Sequence, residues 1–267
     1  MHTLSPNGFP VRVMEWGPRD APATVFLHGR FAGALTWDGV RRALGPRCHG
    51  FAVEFPPFSG AGGSTIRGAQ FLELARAARE VIQRLVGPGA WLVGHDSGGT
   101  LALVLLADPS VAAFAAVPIN PIPPTAPVVP MTWLEEQRFL GSLHAFVHAS
   151  RLPAHLRAPL LALWENRAES RRALRAIHAL ARTWPGHHQR AFWKTELRAR
   201  AARIFPLWGA HDPLNSLAVG RAHLDALGLT PEVDPNSSHW PPLENPEWVA
   251  HRLEDAWLRS ARRSLSR

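Results

Sequence analysis

The chain has 267 residues, 46% of them hydrophobic, which is enough to bury a sizeable core and excludes an intrinsically disordered chain. Its formal net charge of +8 comes almost entirely from arginine, and no RNA- or DNA-binding motif accompanies that charge, so no nucleic-acid partner is expected. Cys48 is the only cysteine, so no internal disulfide is expected. The sequence has no signal-peptide pattern and no run of about 18 apolar residues, so we expect a cytoplasmic protein without a membrane span.

The first part of the chain alternates short apolar runs with helical patterns. Strands are predicted at residues 11–16, 24–27, 50–54, 90–93 and 114–119. Helices are predicted at residues 37–44, 69–85 and 101–107. Strands that alternate with helices in this way predict an α/β fold with a mainly parallel sheet and helices on both faces.

The pattern changes in the middle of the chain. Residues 118–130 are rich in proline and uncharged, which indicates a stiff linker, and from Trp133 to about Arg200 only helical patterns appear. Sheet character then returns, with strands predicted at 204–208 and 231–234 and helices at 218–228 and 248–260. We therefore predict a core formed by residues 1–122 and 203–267 and a helical insertion formed by residues 123–202.

The sequence Trp91–Thr100 predicts a tight turn between a buried strand and a buried helix. Gly94 and Gly98 lie two residues to each side of Asp96, which is the spacing of a nucleophile elbow, where only small residues fit beside the apex. Ser97 is the alternative apex, but it would place His95 where a small residue is needed. A second alternative is that Asp96 only caps the helix that follows it.

This stretch resembles the α/β-hydrolase family, in which the apex usually carries serine. Aspartate at the apex resembles the haloalkane dehalogenase and epoxide hydrolase branch, whose motifs also begin Gly-His-Asp and end Gly-Gly. The resemblance implies an α/β-hydrolase fold, and it implies that the helical insertion at 123–202 is a cap over the active site.

The family's catalytic triad follows the chain order nucleophile, acid, histidine. Asp212 closes a Gly-x-x-Asp motif after a predicted strand, and His239 precedes Pro-Pro-Leu-Glu-Asn-Pro, which resembles the family's histidine loop. The resemblance therefore implies an Asp96–His239–Asp212 triad. The structural alternatives are that Asp212 opens a turn before Pro213 and that His239 only packs beside Trp240.

The pair His28-Gly29 resembles the family's oxyanion loop, so backbone N–H groups of Arg30 and Ser97 are expected to stabilise an oxyanion. A carboxylate, ordinarily ionised near pH 7, can displace a leaving group from saturated carbon and form an alkyl ester. His239, oriented by Asp212, would then activate the water that hydrolyses the ester. No metal or organic cofactor is implied, and the partner is a small-molecule substrate.

The leaving group is the open question. Epoxide hydrolases of this type use tyrosine hydroxyls in the cap, and this chain has no tyrosine, whereas indole N–H groups can hold a halide. Four tryptophans are candidates for lining the substrate pocket: Trp133, Trp164, Trp184 and Trp193.

Against a dehalogenase, Ser97 and Arg30 stand where such enzymes usually carry tryptophan and asparagine. We favour hydrolysis of a C–halogen bond in a small apolar substrate. The alternatives are an epoxide hydrolase whose acid is a histidine, an esterase or lactonase, and a ligand-binding protein without catalysis. The histidines that could replace tyrosine are His144, His148 and His155.

Overall fold

The computed structural model describes residues 1–6, 10–29, 32–55, 71–122 and 193–265, together with residues 147, 152, 154 and 157. The strands in this part of the chain are β1 (His2–Leu4), β2 (Val11–Trp16), β3 (Ala23–Leu27), β4 (His49–Glu54), β5 (Trp91–His95), β6 (Ala115–Ile119), β7 (Leu207–Gly209) and β8 (Glu232–Asp234). These strands form one sheet in the order β1-β2-β4-β3-β5-β6-β7-β8.

The sheet is mainly parallel, as the alternation of strands and helices predicts. Strands β3 to β8 pair in parallel, and β1 and β2 are joined to the edge by antiparallel pairing. Strand β5 lies between β3 and β6, with Leu27 opposite Gly94 and Gly94 opposite Pro118. The carboxyl ends of the parallel strands therefore meet at one edge of the sheet, where ligands of open α/β sheets bind.

Helices cover both faces of the sheet. Their bounds are α1 (Asp38–Leu44), α2 (Phe71–Val81), α3 (Ser97–Ala107), α4 (Leu217–Asp225), α5 (Pro241–Glu244) and α6 (Pro246–Leu265). One core cluster joins the sheet to α2 and α3, and a second joins it to α1 and α6. Leu92 packs in the first cluster and its neighbour Val93 in the second, because successive side chains of a strand point to opposite faces.

Short helices of other types extend or connect these elements. A 3-10 helix, Ala34–Trp37, leads into α1, another, Gly45–Arg47, follows α1, and a π-helix, Ile82–Val86, extends α2. A π-helix, Trp193–Leu197, and a 3-10 helix, Arg198–Arg203, precede the return to the sheet. Leu197 is buried in the core cluster that contains α2 and α3.

Most predicted elements of the core are present, with three differences. Strand β1 and helix α5 were not predicted, and the predicted linker overlaps the predicted strand at Pro118 and Ile119, which both lie inside β6. Pro118 has no N–H to donate, and the pairing of β6 with β7 is limited to Ile119 opposite Leu207. Most of the predicted insertion at 123–202 lies outside the described residues. Among the described helices, none combines the length and apolar character needed to cross a bilayer.

Candidate active site

The turn between β5 and α3 is closed by contacts between backbones. A Cβ atom added to Gly94 would lie 2.1 Å from the carbonyl oxygen of Gly98, and one added to Gly98 would lie 2.1 Å from the carbonyl oxygen of Leu27. Asp96 lies between these glycines with φ 53° and ψ −120°, a conformation that L-residues rarely adopt. Asp96 therefore occupies the strained apex, and the half-buried Ser97 is the first residue of α3.

The carboxylate of Asp96 is directed at other polar groups of the site. The Asp96 side chain does not cap the described helix α3, because it accepts no hydrogen bond from the backbone N–H groups of the first turn. Instead Oδ2 accepts a hydrogen bond from Nδ2 of Asn215 at 3.3 Å and lies 3.7 Å from Nε2 of His239. Only 1% of Asp96 is exposed, so this carboxylate is surrounded by protein.

Asp212 follows β7 and uses its two carboxylate oxygens differently. Oδ1 accepts the backbone N–H groups of Leu214 at 2.8 Å and Asn215 at 2.9 Å, which closes a turn. Oδ2 accepts from Nδ2 of Asn120 at 2.5 Å and from Nδ1 of His239 at 3.0 Å. Asp212 therefore both opens a turn, through Oδ1, and contacts His239, through Oδ2, so the turn-opening role and the proposed triad role do not exclude each other.

Burial works to raise the pKa of the Asp212 carboxyl, but the charge of His239 and hydrogen bonds from His239, Asn120 and the backbone of Asn215 outweigh it. The net result is a pKa below the ordinary value for aspartate. Asp212 is therefore an anion near neutral pH and accepts the Nδ1–H of His239. When His239 is neutral, that hydrogen bond keeps its proton on Nδ1, so Nε2, which lies 3.7 Å from Oδ2 of Asp96, carries a lone pair.

His239 lies in the loop between β8 and α5, and several contacts hold this loop against the sheet. A Cβ atom at Gly209 would lie 1.9 Å from the carbonyl oxygen of Ser238, so only glycine permits this approach. The backbone N–H and the hydroxyl of Ser238 donate to Glu244 at 2.6 and 2.5 Å. His239 is 4% exposed, and its ring packs edge-on against Trp240.

His95, the residue before the apex, is buried and contacts the histidine loop. Its Nε2–H donates to the carbonyl oxygen of His239 at 2.6 Å, and the two rings are 4.9 Å apart between centroids. Among the described residues, no partner is found for the buried Nδ1 atom of His95. Burial first, and then the nearby His239, lower the pKa of His95 to about 4. His95 is therefore neutral near pH 7.

Two asparagines connect the site, and the sequence analysis did not assign a role to either. Asn120, at the end of β6, donates to Asp212 and, at 3.3 Å, to the carbonyl oxygen of Ser238, while its Oδ1 accepts the backbone N–H of Gly209. Asn215 donates to Asp96 and, at 2.9 Å, to the carbonyl oxygen of Asn120. The position of Asn120 at a strand end was the only sequence signal that pointed to either residue.

The predicted oxyanion loop is described up to Gly29. The backbone N–H of Phe55 donates to Nε2 of His28 at 3.0 Å, so the proton of this ring is on Nδ1, which donates to the carbonyl oxygen of Gly29 at 2.8 Å. Burial lowers the pKa of His28. Arg30, the predicted N–H donor of this loop, lies outside the described residues, whereas Ser97 begins α3, where first-turn N–H groups have no partner inside the helix.

Nearly all of the predicted cap residues lie outside the described part of the chain, so their positions relative to the site remain predictions. Trp133, Trp164, Trp184 and the histidines at 144, 148 and 155 lie outside it, and of Trp193 only the backbone is described, at the start of a π-helix. His211, which we did not assign to the site, is exposed and contacts the carbonyl oxygen of Pro235. Among the described residues, no group of three or more His, Cys, Asp or Glu side chains is arranged to hold a metal ion.

Solved structures share this fold over nearly the whole chain. A candidate aryl esterase from Burkholderia cenocepacia is 22% identical with a TM-score of 0.74, and the alignment covers 100% of this chain and 99% of that one. Carboxylesterase CesB from Bacillus subtilis is 19% identical with a TM-score of 0.72, over 96% of this chain and 90% of that one. Haloalkane dehalogenase DbeA from Bradyrhizobium elkani is 20% identical with a TM-score of 0.72, over 97% and 98%.

At these sequence identities the similarity establishes the fold alone, since esterases and a haloalkane dehalogenase share it. No curated protein matches the sequence. The family model described as "Alpha/beta hydrolase family" matches residues 24–252, which is most of the chain. The protein therefore belongs to the α/β hydrolase family and is a hydrolase.

Proposed function

We propose that the protein hydrolyses a small apolar substrate through an alkyl ester on Asp96, with His239 as the base and Asp212 as the group that orients it. The observation that carries this proposal is the carboxylate at the strained apex of the elbow, with Nε2 of His239 3.7 Å from Oδ2. Both residues are buried, so protein groups, and not bulk water, have to stabilise the charge of the nucleophile. The insertion at 123–202 is the proposed cap that selects the substrate.

Serine is the rival nucleophile, and the geometry favours aspartate. Ser97 belongs to the first turn of α3, whereas Asp96 has the positive φ that is typical of the apex residue in this fold. The side-chain N–H of Asn215 is directed at the Asp96 carboxylate, which is the contact that an anionic nucleophile needs.

In the first step, a carboxylate oxygen of Asp96 forms a bond to the substrate carbon, and the C–halogen electron pair leaves with the halide. In the second step, Nε2 of His239 takes a proton from water, and the hydroxide formed attacks Cγ of Asp96. Backbone N–H groups of Ser97 and Arg30 are the proposed donors to the oxyanion. Collapse breaks the bond between Cγ and the alkoxy oxygen, and the departing alkoxide takes the proton from His239 to form the alcohol. The carboxylic acid left on Asp96 loses its proton to solvent, which restores the carboxylate and accounts for the acid released with the halide.

We prefer a C–halogen substrate over an epoxide, because the departing halide needs no proton whereas the alkoxide formed from an epoxide does. The chain has no tyrosine to protonate an alkoxide and 11 tryptophans, several of them in the proposed cap. Trp133, Trp164, Trp184 and Trp193 are the proposed donors to the halide. Halide release and acid release, measured over a small panel of haloalkanes, epoxides and esters, separate this proposal from an epoxide hydrolase and from an esterase.

The test of the two-step mechanism is the variant His239→Phe. An ionised carboxylate needs no base for the first displacement, whereas hydrolysis of the ester does, so incubation with a reactive haloalkane is expected to add one alkyl group to the protein. Intact mass and peptide mapping should locate the group on Asp96. Asp96→Asn in the same background is the matched control and should remain unmodified.

A serine nucleophile gives the opposite pattern, because Ser97 needs His239 to lose its proton. If Ser97→Ala abolishes turnover and Asp96→Ala retains it, the assignment of the nucleophile is wrong. If the wild type turns over while folded His239→Phe carries no adduct, the alkyl-ester mechanism is wrong. A protein that only binds its ligand would show neither turnover nor adduct.

A further inference from the structure

We propose that Asn215 is a positioning residue for the nucleophile: its side-chain amide holds the Asp96 carboxylate in one orientation and stabilises it as an anion. This inference rests on the proposed function for its catalytic meaning, since Asp96 must be the nucleophile. Its structural content, a hydrogen bond from a buried amide to a buried carboxylate, is testable without any substrate.

The two hydrogens of the Asn215 amide have two acceptors. Nδ2 lies 2.9 Å from the carbonyl oxygen of Asn120 and 3.3 Å from Oδ2 of Asp96. Both partners are oxygen atoms without a hydrogen of their own when Asp96 is ionised, so the orientation of the amide is determined by its surroundings. Asn215 is 6% exposed, and a buried amide that lost these acceptors would be costly.

The backbone and the side chain of Asn215 serve different parts of the site. Its backbone N–H donates to Oδ1 of Asp212, in the turn that holds the acid. Its side chain reaches from that turn to Asp96 at the end of β5 and to Asn120 at the end of β6. Replacing Asn215 by a residue other than proline that has no side-chain donor keeps the backbone bond and removes the two side-chain contacts, with Asp96 and with the carbonyl oxygen of Asn120.

The amide is a neutral donor that does not titrate, unlike the side chains of His239, His95 and Asp212 near Asp96. The described titratable neighbours are His239, with Nε2 at 3.7 Å, His95, the preceding residue, and Asp212 beyond His239. His95 is neutral near pH 7, and Asp212 is an anion that opposes a second negative charge nearby. A donor on Oδ2 favours the ionised form of Asp96 and so lowers the pH at which it becomes a nucleophile.

The test is the titration of the Asp96 carboxyl, followed by the NMR signal of its ¹³C-labelled carboxyl carbon and assigned by its loss in Asp96→Asn. In Asn215→Leu, which has a similar volume and no donor, the midpoint is expected to rise by about one pH unit or more, a tenfold increase in proton affinity. Asn236→Leu changes an exposed asparagine in the loop before His239 and is the matched control. It should leave the midpoint of Asp96 unchanged.

A second measurement relates the titration to chemistry. In the His239→Phe background, the rate of adduct formation is expected to fall at acid pH, and this acid limb should move upward with Asn215→Leu by the same amount as the NMR midpoint. A residue that only supports the fold would lower the rate at every pH without moving the limb. If no adduct forms with Asn215 intact, the proposed function fails, and the NMR titration still decides the role of Asn215.

The near-isosteric variant Asn215→Asp covers the case in which Asn215→Leu does not fold. It places a second carboxyl 3.3 Å from Asp96, and two carboxyls at that distance share a proton, so a larger upward shift of the Asp96 signal is expected. An unchanged midpoint of Asp96 in a folded Asn215 variant overturns the proposal.

Discussion

The two sides of the candidate site are held in place by different means. The elbow that carries Asp96 is closed by glycines whose backbones touch: Gly94 against Gly98, and Gly98 against Leu27. On the other side, a close backbone contact, Gly209 against Ser238, precedes the loop, but Asp212 itself is held by the four hydrogen bonds that its carboxylate accepts from Leu214, Asn215, Asn120 and His239.

The difference predicts how each side responds to substitution. Where backbones touch, even the smallest side chain is too large, because an added methyl group at 2.1 Å from a carbonyl oxygen forces the backbone to move. A hydrogen-bonded turn loses its bonds one at a time and changes the orientation of a side chain before it loses the fold. Substitutions in the elbow should therefore lower stability, whereas those in the loop should lower activity first.

The largest effect is expected for Gly98→Ala. The new Cβ would lie 2.1 Å from the carbonyl oxygen of Leu27 and 2.5 Å from that of His28, so β3 and α3 must separate. We expect the free energy of unfolding to fall by about 3 kcal/mol or more, measured by chemical denaturation. Gly99→Ala is the neighbouring control, since its Cβ would lie 3.0 Å from the nearest atom; equal losses in the two variants would contradict steric closure.

The next effect concerns His95, which joins the two sides through its bond to the carbonyl oxygen of His239. Because the pKa of His95 falls from 6.5 to about 4 on folding, the unfolded chain binds the extra proton between these values, and stability declines as the pH falls through that window.

His95→Gln removes this titration and keeps an N–H donor. Its loss of stability between pH 7 and pH 4 should be smaller than that of the wild type by about 3 kcal/mol. The measurement is denaturant unfolding at both pH values. Identical pH dependence in the two proteins would show that His95 is not the neutral, buried group described.

Asp212→Asn tests the hydrogen-bonded side. Nδ2 of the new amide would face the N–H groups of Asn120 and His239, so His239 loses the acceptor that fixes its tautomer. Under the proposed mechanism, decay of the alkyl ester should slow by at least about 100-fold while its formation is unchanged. Mass spectrometry of the adduct after rapid mixing separates the two rates, and an equal effect on both would argue against an orienting role for Asp212.

The smallest effect is expected for Ser216→Ala, directly after Asn215. The Ser216 hydroxyl caps α4 by accepting the N–H of Val219 at 3.4 Å, a long and exposed hydrogen bond. Its loss should cost about 0.5 kcal/mol in thermal or chemical unfolding and leave activity unchanged. A large loss of activity would show that the start of α4, and not the bonds to Asp212, holds the loop.

The same comparison explains how far the sequence could be interpreted. The elbow was predictable because steric closure needs glycines at fixed positions around Asp96, and the sheet was predictable because its buried strands are continuous apolar runs. Strand β1 was missed because His2–Leu4 has no apolar pattern and is defined by its pairing with β2. The predicted linker begins two residues before β6 ends, because Pro118 is unusual inside a sheet.

The asparagines of the site could not be assigned from the sequence for a related reason. The contact of Asn215 with Asp96 joins residues that are 119 positions apart, and that of Asn120 with Asp212 joins residues 92 apart. Neither follows a period or a motif, since each depends on which strand ends lie side by side in the sheet. The roles of Arg30 and of the tryptophans in the proposed cap remain predictions, because Arg30, Trp133, Trp164 and Trp184 lie outside the described residues and only the backbone of Trp193 is described.

The backbone of Asp96 has a consequence for how this protein can evolve. Its φ of 53° is costly for an aspartate and free for a glycine, and burial adds the cost of desolvating a carboxylate. Asp96→Gly relieves both costs and leaves one N–H of the Asn215 amide without its acceptor, which is the smaller effect; we therefore expect a chain that is more resistant to unfolding than its parent and catalytically dead. Selection for stability alone would remove this aspartate, so its retention in a lineage requires continued selection for what the carboxylate does.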